Sequence, residues 1–356
     1  MTADIDLIIA VHDERRPVDR AVASALESTN VPVRVTLVAH GISPDRIAAR
    51  LGKWRQDKRV RIMAHNDGIR SAAGPFNAGL DAADASFVSV MGSDDTLEPH
   101  ALESWLHCAE KRGADVVIAR LKHAGGAAVP TPPTRPRRTI LLDGVRDRLS
   151  YRSAPLGLVS RARFPRLRFA ESVPTGEDIP FVTALWFSGS QIAYDRRGPA
   201  YLIHNDADQR TTFTRRPLAD EFLWVDALMG GGVFDKLSPS QRQAVVIKCL
   251  RIHLFGAIFH RAEPACWGPR ERASLSQTAH LLVNAGEGIH EVLSRRDRRL
   301  LDLALDPGSP TSELLAAAEA RRRFLHPGSL LPRRLRYTAH REAPIRFAAA
   351  SALQLR

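Results

Sequence analysis

The chain has 356 residues, of which 44% are hydrophobic and 25% charged, and its formal net charge is +12. That length suits about two domains with buried cores, and the composition is ordinary for globular proteins. Disorder, collagen and a whole-chain coiled coil are excluded.

Residues 1–120 alternate strand and helix patterns. Residues 5–11 form an Ile- and Val-rich run that predicts a first strand. Val18, Val22, Ala25 and Leu26 then recur at helical spacing. Further strands are predicted at 33–38, 60–63, 87–91 and 115–119, with helices over 71–83 and 99–111. This alternation implies an α/β fold with a largely parallel sheet, whose ligands bind beyond the carboxyl ends of the strands. Residues 124–138 are rich in Gly, Pro and Arg and read as a loop or linker too poor in apolar residues to pack. Residues 150–215 read as irregular, with short strands at 192–193 and 200–203.

From 217 onward the pattern is helical. Ser238-Pro239 starts one helix, and Thr311 or Ser312 fits an N-cap before 313–324. The longest apolar stretch, 244–259, is interrupted by Lys248, Arg251 and His253, so no membrane-spanning helix is predicted. The N-terminal residues, with Asp4 and Asp6, lack the pattern of a secretory signal. Cys108, Cys249 and Cys266 are odd in number and include no C-x-x-C pair. They argue for a reducing, cytoplasmic setting rather than disulfides or zinc.

The charge is unevenly placed. Residues 321–356 hold nine Arg and one Glu, a net +8 of the chain's +12. Those Arg are interleaved with Leu330, Leu331, Leu335, Tyr337, Ile345 and Phe347. The mixture suits peripheral contact with the inner face of an anionic membrane, or a face packed on its own domain or in a homo-oligomer. The basic excess is local, and no helix-turn-helix, ribonucleoprotein or zinc pattern occurs, which argues against nucleic acid as a partner.

Ser93-Asp94-Asp95 follows the predicted strand at 87–91. Adjacent carboxylates at a strand end need a compensating cation. A hard divalent ion bridging diphosphate oxygens is one solution, and a helix cap before Pro99 is the other.

The stretch 66–97 (NDGIRSAAGPFNAGLDAADASFVSVMGSDDTL) resembles the core of glycosyltransferase family 2, whose members have a GT-A fold and use nucleotide-diphosphate sugars. Matching features are Asn66, Gly68, Ser71, Asn77-Ala78-Gly79-Leu80, the apolar strand and Ser93-Asp94-Asp95. The opening DLIIAVHDERRPVDRAVASAL resembles the family's first strand and turn. Gly176-Glu177-Asp178 resembles its Glu-Asp motif, and 200–204 with 209–212 resembles the segment that closes the catalytic domain. The resemblance covers about residues 4–215. It implies a GT-A catalytic domain over 1–215, followed by a helical domain over 216–325 and a basic tail over 326–356.

The departures are specific. The family's first acidic metal-motif residue is Gly92, its acidic pair after the second strand is Ala39-His40, and its Arg before Asn-Ala-Gly is Phe76. Gly92 and Ala39 leave open a catalytically degenerate scaffold. The turn after strand one has no glycine, which argues against a sugar-nucleotide pyrophosphorylase.

The resemblance implies an inverting enzyme that moves a sugar to a glycan, cell-envelope polymer or lipid-linked acceptor. Asp178 is the implied base, with Glu177 and Arg210 in support. Asp94 and His204 are the implied ligands of Mn2+ or Mg2+. The nucleotide-sugar site, with a UDP-sugar favoured, is assigned to Val11, His12, Asp13, His40, Asn66, Arg70, Asn77, Ser93, Asp94 and Asp95.

Overall fold

The structure is a computed structural model that describes residues 3–205 and 216–354. The chain divides into two compact units. The first comprises Met1–Thr131, Arg137–Asp143 and Arg152–Thr214, and the second Pro132–Pro136, Gly144–Tyr151 and Arg215–Arg356.

The first unit begins with β1 (Ile5–Val11), α1 (Val18–Leu26), β2 (Val33–His40), α2 (Pro44–Arg50), β3 (Val60–His65), α3 (Ala73–Asp81) and β4 (Phe87–Gly92). Then come β5 (Thr96–Leu97), α4 (Ala101–Arg112), β6 (Val116–Ala119), β7 (Leu121–His123) and β8 (Ala128–Val129). It ends with β9 (Gly157–Ser160), α5 (Asp178–Trp186), β10 (Ile192–Asp195) and β11 (Tyr201–Ile203).

Seven strands form one sheet in the order β10-β6-β9-β4-β1-β2-β3. All pairings are parallel except those of β9, which runs antiparallel to β4 and β6. The α/β reading therefore holds. β9, however, lies in a segment expected to be irregular. A second sheet orders β5-β11-β7-β8.

β1 is buried along nearly its whole length, as a strand covered by helices on both faces must be. In α1, Val18, Ala21, Val22, Ala25 and Leu26 form the buried stripe, which is the spacing of one helix face. α3 crosses close to β1. A Cβ at Gly79 would meet Ile8 Cγ2 at 2.3 Å, so only glycine allows that approach.

Asp6 is fully buried in β1. Its carboxylate accepts from Arg34 Nε at 2.6 Å and from the backbone N–H groups of Asp84 and Ala85. Burial pushes this carboxyl up, but Arg34 and the two amides outweigh it and hold the group below its ordinary value.

The second unit holds α6 (Leu218–Glu221), α7 (Leu223–Gly230), α8 (Pro239–Lys248), α9 (Phe255–Phe259), α10 (Pro269–Asn284), α11 (Ile289–Val292) and α12 (Arg295–Leu305). It continues with α13 (Thr311–Arg321), α14 (Pro327–Leu330) and α15 (Pro344–Gln354). A π-helical turn, Cys249–Leu254, joins α8 to α9. Ser238 and Gln241 form a reciprocal capping box at the start of α8. α13 starts at Thr311 with Pro310 at its N-cap position, so neither Thr311 nor Ser312 caps it.

Residues 124–138 are loop apart from one short strand, as expected, but the expectation that they do not pack is corrected. Residues 128–129 form a strand, Pro132, Pro133 and Thr134 are buried, and Arg135 pairs with the fully buried Asp147 carboxylate. Proline needs no backbone donor satisfied, so this stretch packs without a long apolar run.

The C-terminal segment is anchored within the second unit. Arg251, itself buried, faces Asp297 at 3.4 Å and Glu342 at 3.7 Å and donates to the Tyr151 hydroxyl at 3.1 Å. Arg148 donates to the Arg341 carbonyl at 2.8 Å. Burial pushes the Glu342 carboxyl up.

Candidate active site

The parallel register sets the carboxyl ends of β1, β2, β3 and β4 side by side. Val11 pairs with Ala39, His40 with His65, and Ala10 with Gly92. Loops leaving these ends carry most of the expected site residues.

After β4 the chain turns through Gly92-Ser93-Asp94-Asp95. Ser93 is 4% exposed. Asp94 Oδ2 lies 2.6 Å from Arg16 Nη1, and the Asp94 carbonyl accepts from Arg20 Nη2 at 2.6 Å. Arg16 is itself only 7% exposed. The Tyr201 hydroxyl accepts from Gly92 N at 2.9 Å and donates to Asp95 Oδ2 at 2.6 Å. Asp95 Oδ1 accepts from the backbone N–H of His204 at 3.0 Å. Burial raises the Asp95 carboxyl above its ordinary value, the Asp94 charge adds to that rise, and the Tyr201 and His204 hydrogen bonds only partly offset it.

The glycine at 92 has a physical reason. A Cβ there would stand 2.7 Å from Asp95 Oδ2 and 3.2 Å from Asp94 Oδ1. Any side chain at 92 would press on the oxygen that Tyr201 holds.

His204 is brought to the carboxylate pair, with its Nε2 2.8 Å from Thr96 Oγ1. Among the described residues no three His, Cys, Asp or Glu side chains converge on a metal-sized point. A magnesium-type ion needs only one or two carboxylates, with phosphate and water oxygens completing its shell. Asp94 fits that donor set, and His204 is held as a neighbour of the turn.

A second cluster lies at the ends of β2 and β3. His40 Nε2 is 2.8 Å from Asp67 Oδ1, and His65 Nε2 is 3.2 Å from Asp67 Oδ2. Asp67 also accepts from Ile69 N at 2.9 Å. These hydrogen bonds draw its carboxyl well below the ordinary range, against the opposing effect of burial. A Cβ at Gly74 would meet Asp67 Oδ2 at 2.1 Å, so the first turn of α3 leaves room for the cluster only through glycine.

Val11 is buried at the end of β1, and His12 follows it on the surface. Partial desolvation and then the Arg16 charge lower the His12 imidazole below its ordinary value. Asp13 is bound by Arg15 at 2.7 Å, which brings its carboxyl down to about 2. Asn66 and Arg70 are exposed on the turn after β3.

Asn77 is buried in α3. Its Nδ2 donates to the Phe169 carbonyl and to Glu171, and its Oδ1 accepts from Phe169 N. Its amide thus ties α3 to the 169–171 segment. Asp178 is the first residue of α5, where the helix dipole favours a carboxylate, and Glu177 occupies the cap position before it. Arg210 lies outside the described residues, as do Gln209, Thr211 and Thr212.

Arg16, Arg20 and Tyr201 join the site only through the fold and are not among the residues expected from the sequence. The Arg residues follow β1 one helical turn apart, and that spacing was the available signal.

Residues 6–168 match the family described as Glycosyl transferase family 2. That segment belongs to glycosyltransferase family 2. The family 2 segment contains the Asp94 turn, the Arg16 clamp and the His40–Asp67–His65 cluster, whereas Asp178, Tyr201 and His204 lie beyond it.

The chain is 25% identical over 217 residues to the succinoglycan biosynthesis protein ExoO of Rhizobium meliloti (strain 1021), covering 56% of this chain and 60% of that protein. It is 24% identical over 118 residues to glycosyltransferase GlyG of Streptococcus pneumoniae serotype 4, covering 33% of this chain and 39% of that protein. These alignments therefore span less than two thirds of each relative.

Among solved structures, S. aureus TarS 1–349 in complex with UDP-GlcNAc superposes with a TM-score of 0.74 at 15% identity, covering 91% of this chain and 92% of that one. The family 2 segment thus sits in a GT-A α/β fold with a helical C-terminal region. No described helix is long and apolar enough to cross a membrane.

Proposed function

We propose that this chain is an inverting glycosyltransferase that moves a sugar from a nucleotide-diphosphate sugar to a hydroxyl of a glycan, cell-envelope polymer or lipid-linked acceptor. The observation that carries the reading is the Ser93-Asp94-Asp95 turn, which lies in the family 2 segment at the carboxyl end of β4 and is clamped by Arg16 of that segment and by Tyr201 beyond it. A UDP-sugar is the favoured donor, because TarS, which shares the fold, forms complexes with UDP-GlcNAc and UDP. A hexosyl or N-acetylhexosaminyl group is the sugar class.

Asp178 accepts the proton of the acceptor hydroxyl as that oxygen attacks the anomeric carbon. The bond from the anomeric carbon to the diphosphate breaks, and the configuration inverts. Asp94, with His204 as the weaker partner, would hold Mn2+ or Mg2+, and such an ion would supply positive charge to balance the departing diphosphate. Arg16 and Arg20 fix the position of Asp94, while Tyr201 fixes Asp95. His12, Asp13 and the His40–Asp67–His65 cluster line the strand ends where a nucleotide rests in folds of this kind. The domain limits implied by the resemblance remain part of this proposal, as does a cytoplasmic setting with access to a membrane acceptor.

Gly92 favours a second reading, a scaffold that binds nucleotide without transfer. A panel of nucleotide sugars incubated with the full chain and manganese separates the two. Release of nucleoside diphosphate from one donor supports the transferase, and nucleotide binding without release from any donor supports the scaffold.

A further inference from the structure

The loop between α13 and α14 reads Arg322-Arg323-Phe324-Leu325-His326. Leu325 is 91% exposed and Phe324 61% exposed. Among the described residues no other large apolar side chain is as open as Leu325. Single exposed apolar residues are normal. Two in succession at a loop tip, flanked by two exposed arginines, are a different feature.

The loop is built to hold this display. The Arg322 guanidinium sits 4.4 Å from the Phe259 ring centroid and 5.3 Å from that of Phe324. This stacking props the Phe324 ring on a cation instead of letting it fold into the core. Arg321, by contrast, turns inward. It pairs with Asp297 at 2.6 Å and donates to the Arg251 carbonyl at 3.2 Å, which fixes the end of α13. On the far side, His326 Nδ1 accepts from Gly328 N at 2.9 Å, and Pro327 starts α14. Both stems are therefore anchored while the tip projects apolar groups.

The charge around the tip is cationic. Arg322 and Arg323 are exposed, and Glu319, one turn earlier on α13, is the exposed carboxylate facing them in sequence. An apolar tip with a cationic collar complements a bilayer, where acyl chains lie below anionic headgroups. A protein partner offering only an apolar pocket would leave both guanidinium groups without counter-charge.

We propose that the 322–326 loop is a membrane anchor. Phe324 and Leu325 enter the interfacial layer of a bilayer, and Arg322 and Arg323 pair with its anionic headgroups. This goes beyond the transferase reading and stands whether or not the chain transfers sugar.

The test is co-sedimentation of the full chain with vesicles of equal parts phosphatidylglycerol and phosphatidylcholine, and with phosphatidylcholine alone. Two variants accompany it: Phe324→Ser with Leu325→Ser, and Arg323→Gln. All the altered side chains are exposed, so unchanged thermal unfolding midpoints confirm folding. The expected result is sedimentation with anionic vesicles only. The double serine variant should lose about tenfold or more in partitioning. Arg323→Gln should lose about fivefold at low salt, and the loss should vanish at 1 M salt, where the Debye length falls to ~3 Å. Three results overturn the proposal: a wild-type chain that stays in the supernatant, a double serine variant that sediments like wild type, or a concentration-dependent dimer in light scattering that the double serine variant abolishes. The last would assign the tip to a second copy of the chain.

Discussion

Arg16 Nη1 stands 2.6 Å from Asp94 Oδ2, and the guanidinium is almost fully buried. A cation of the protein thus already occupies one oxygen of the carboxylate assigned to the metal. The contact joins residues 78 positions apart, across the turns that follow β1 and β4.

Two effects follow for Arg16→Gln. Asp94 loses its fixed orientation, so kcat should fall by about tenfold or more. The cation no longer competes with a guanidinium, so the manganese concentration for half-maximal rate should also fall. Arg16→Lys should lie between. Manganese titration of the three proteins checks this, and a raised manganese requirement in Arg16→Gln would count against the clamp.

Tyr201→Phe removes one hydroxyl that serves two groups, Gly92 N and Asp95 Oδ2. Both are left without that partner in a buried site, which should cost about 2 kcal/mol of stability. Denaturant unfolding measures it. A change below ~0.5 kcal/mol, which is typical of a neutral surface substitution, would show that the bridge carries no stability.

Removal of the divalent ion is the next expectation. Excess chelator should abolish turnover, and manganese or magnesium should restore it. In Asp94→Asn the restoration should be largely lost. Full turnover in chelator would mean that Arg16 and its neighbours neutralise the diphosphate unaided.

Asp6 sets a pH dependence of stability. Its folded carboxyl is held below the ordinary value. The unfolded state therefore binds the proton more readily, and the stabilisation is present above the unfolded value of about 3.9. It is lost as pH falls through the folded value. Asp6→Asn should destabilise the chain by about 2 kcal/mol at pH 7 and flatten this part of the acid limb. Unfolding free energies between pH 7 and about 2 decide it, and parallel acid limbs for the two proteins would contradict the assignment.

The parts of this site that could be read in advance were local. Ser93-Asp94-Asp95 follows an apolar strand, and strand ends carry chemistry in α/β sheets. Arg16 and Tyr201 could not be read in this way, because their roles arise from contacts closed only by the fold. β9 was hidden for a related reason. Its four residues follow a Pro-containing stretch and pair antiparallel to β4 and β6, far away in sequence. Pro132, Pro133 and Thr134 looked like a linker because composition records apolar content and not what a backbone can pack against. Asn77 sits in a motif associated with nucleotide sugars, yet its amide atoms bind Phe169.

Asp178→Asn tests the central claim most directly, with nucleotide binding and sugar transfer measured on the same protein. The asparagine keeps the size of the side chain but cannot take a proton at neutral pH. Donor affinity by calorimetry should remain within about threefold of wild type, while transfer falls by ~10²–10⁴-fold. Transfer at the wild-type rate would remove Asp178 from the mechanism, and a wild-type chain that releases nucleotide from no donor in the panel would contradict the transferase itself.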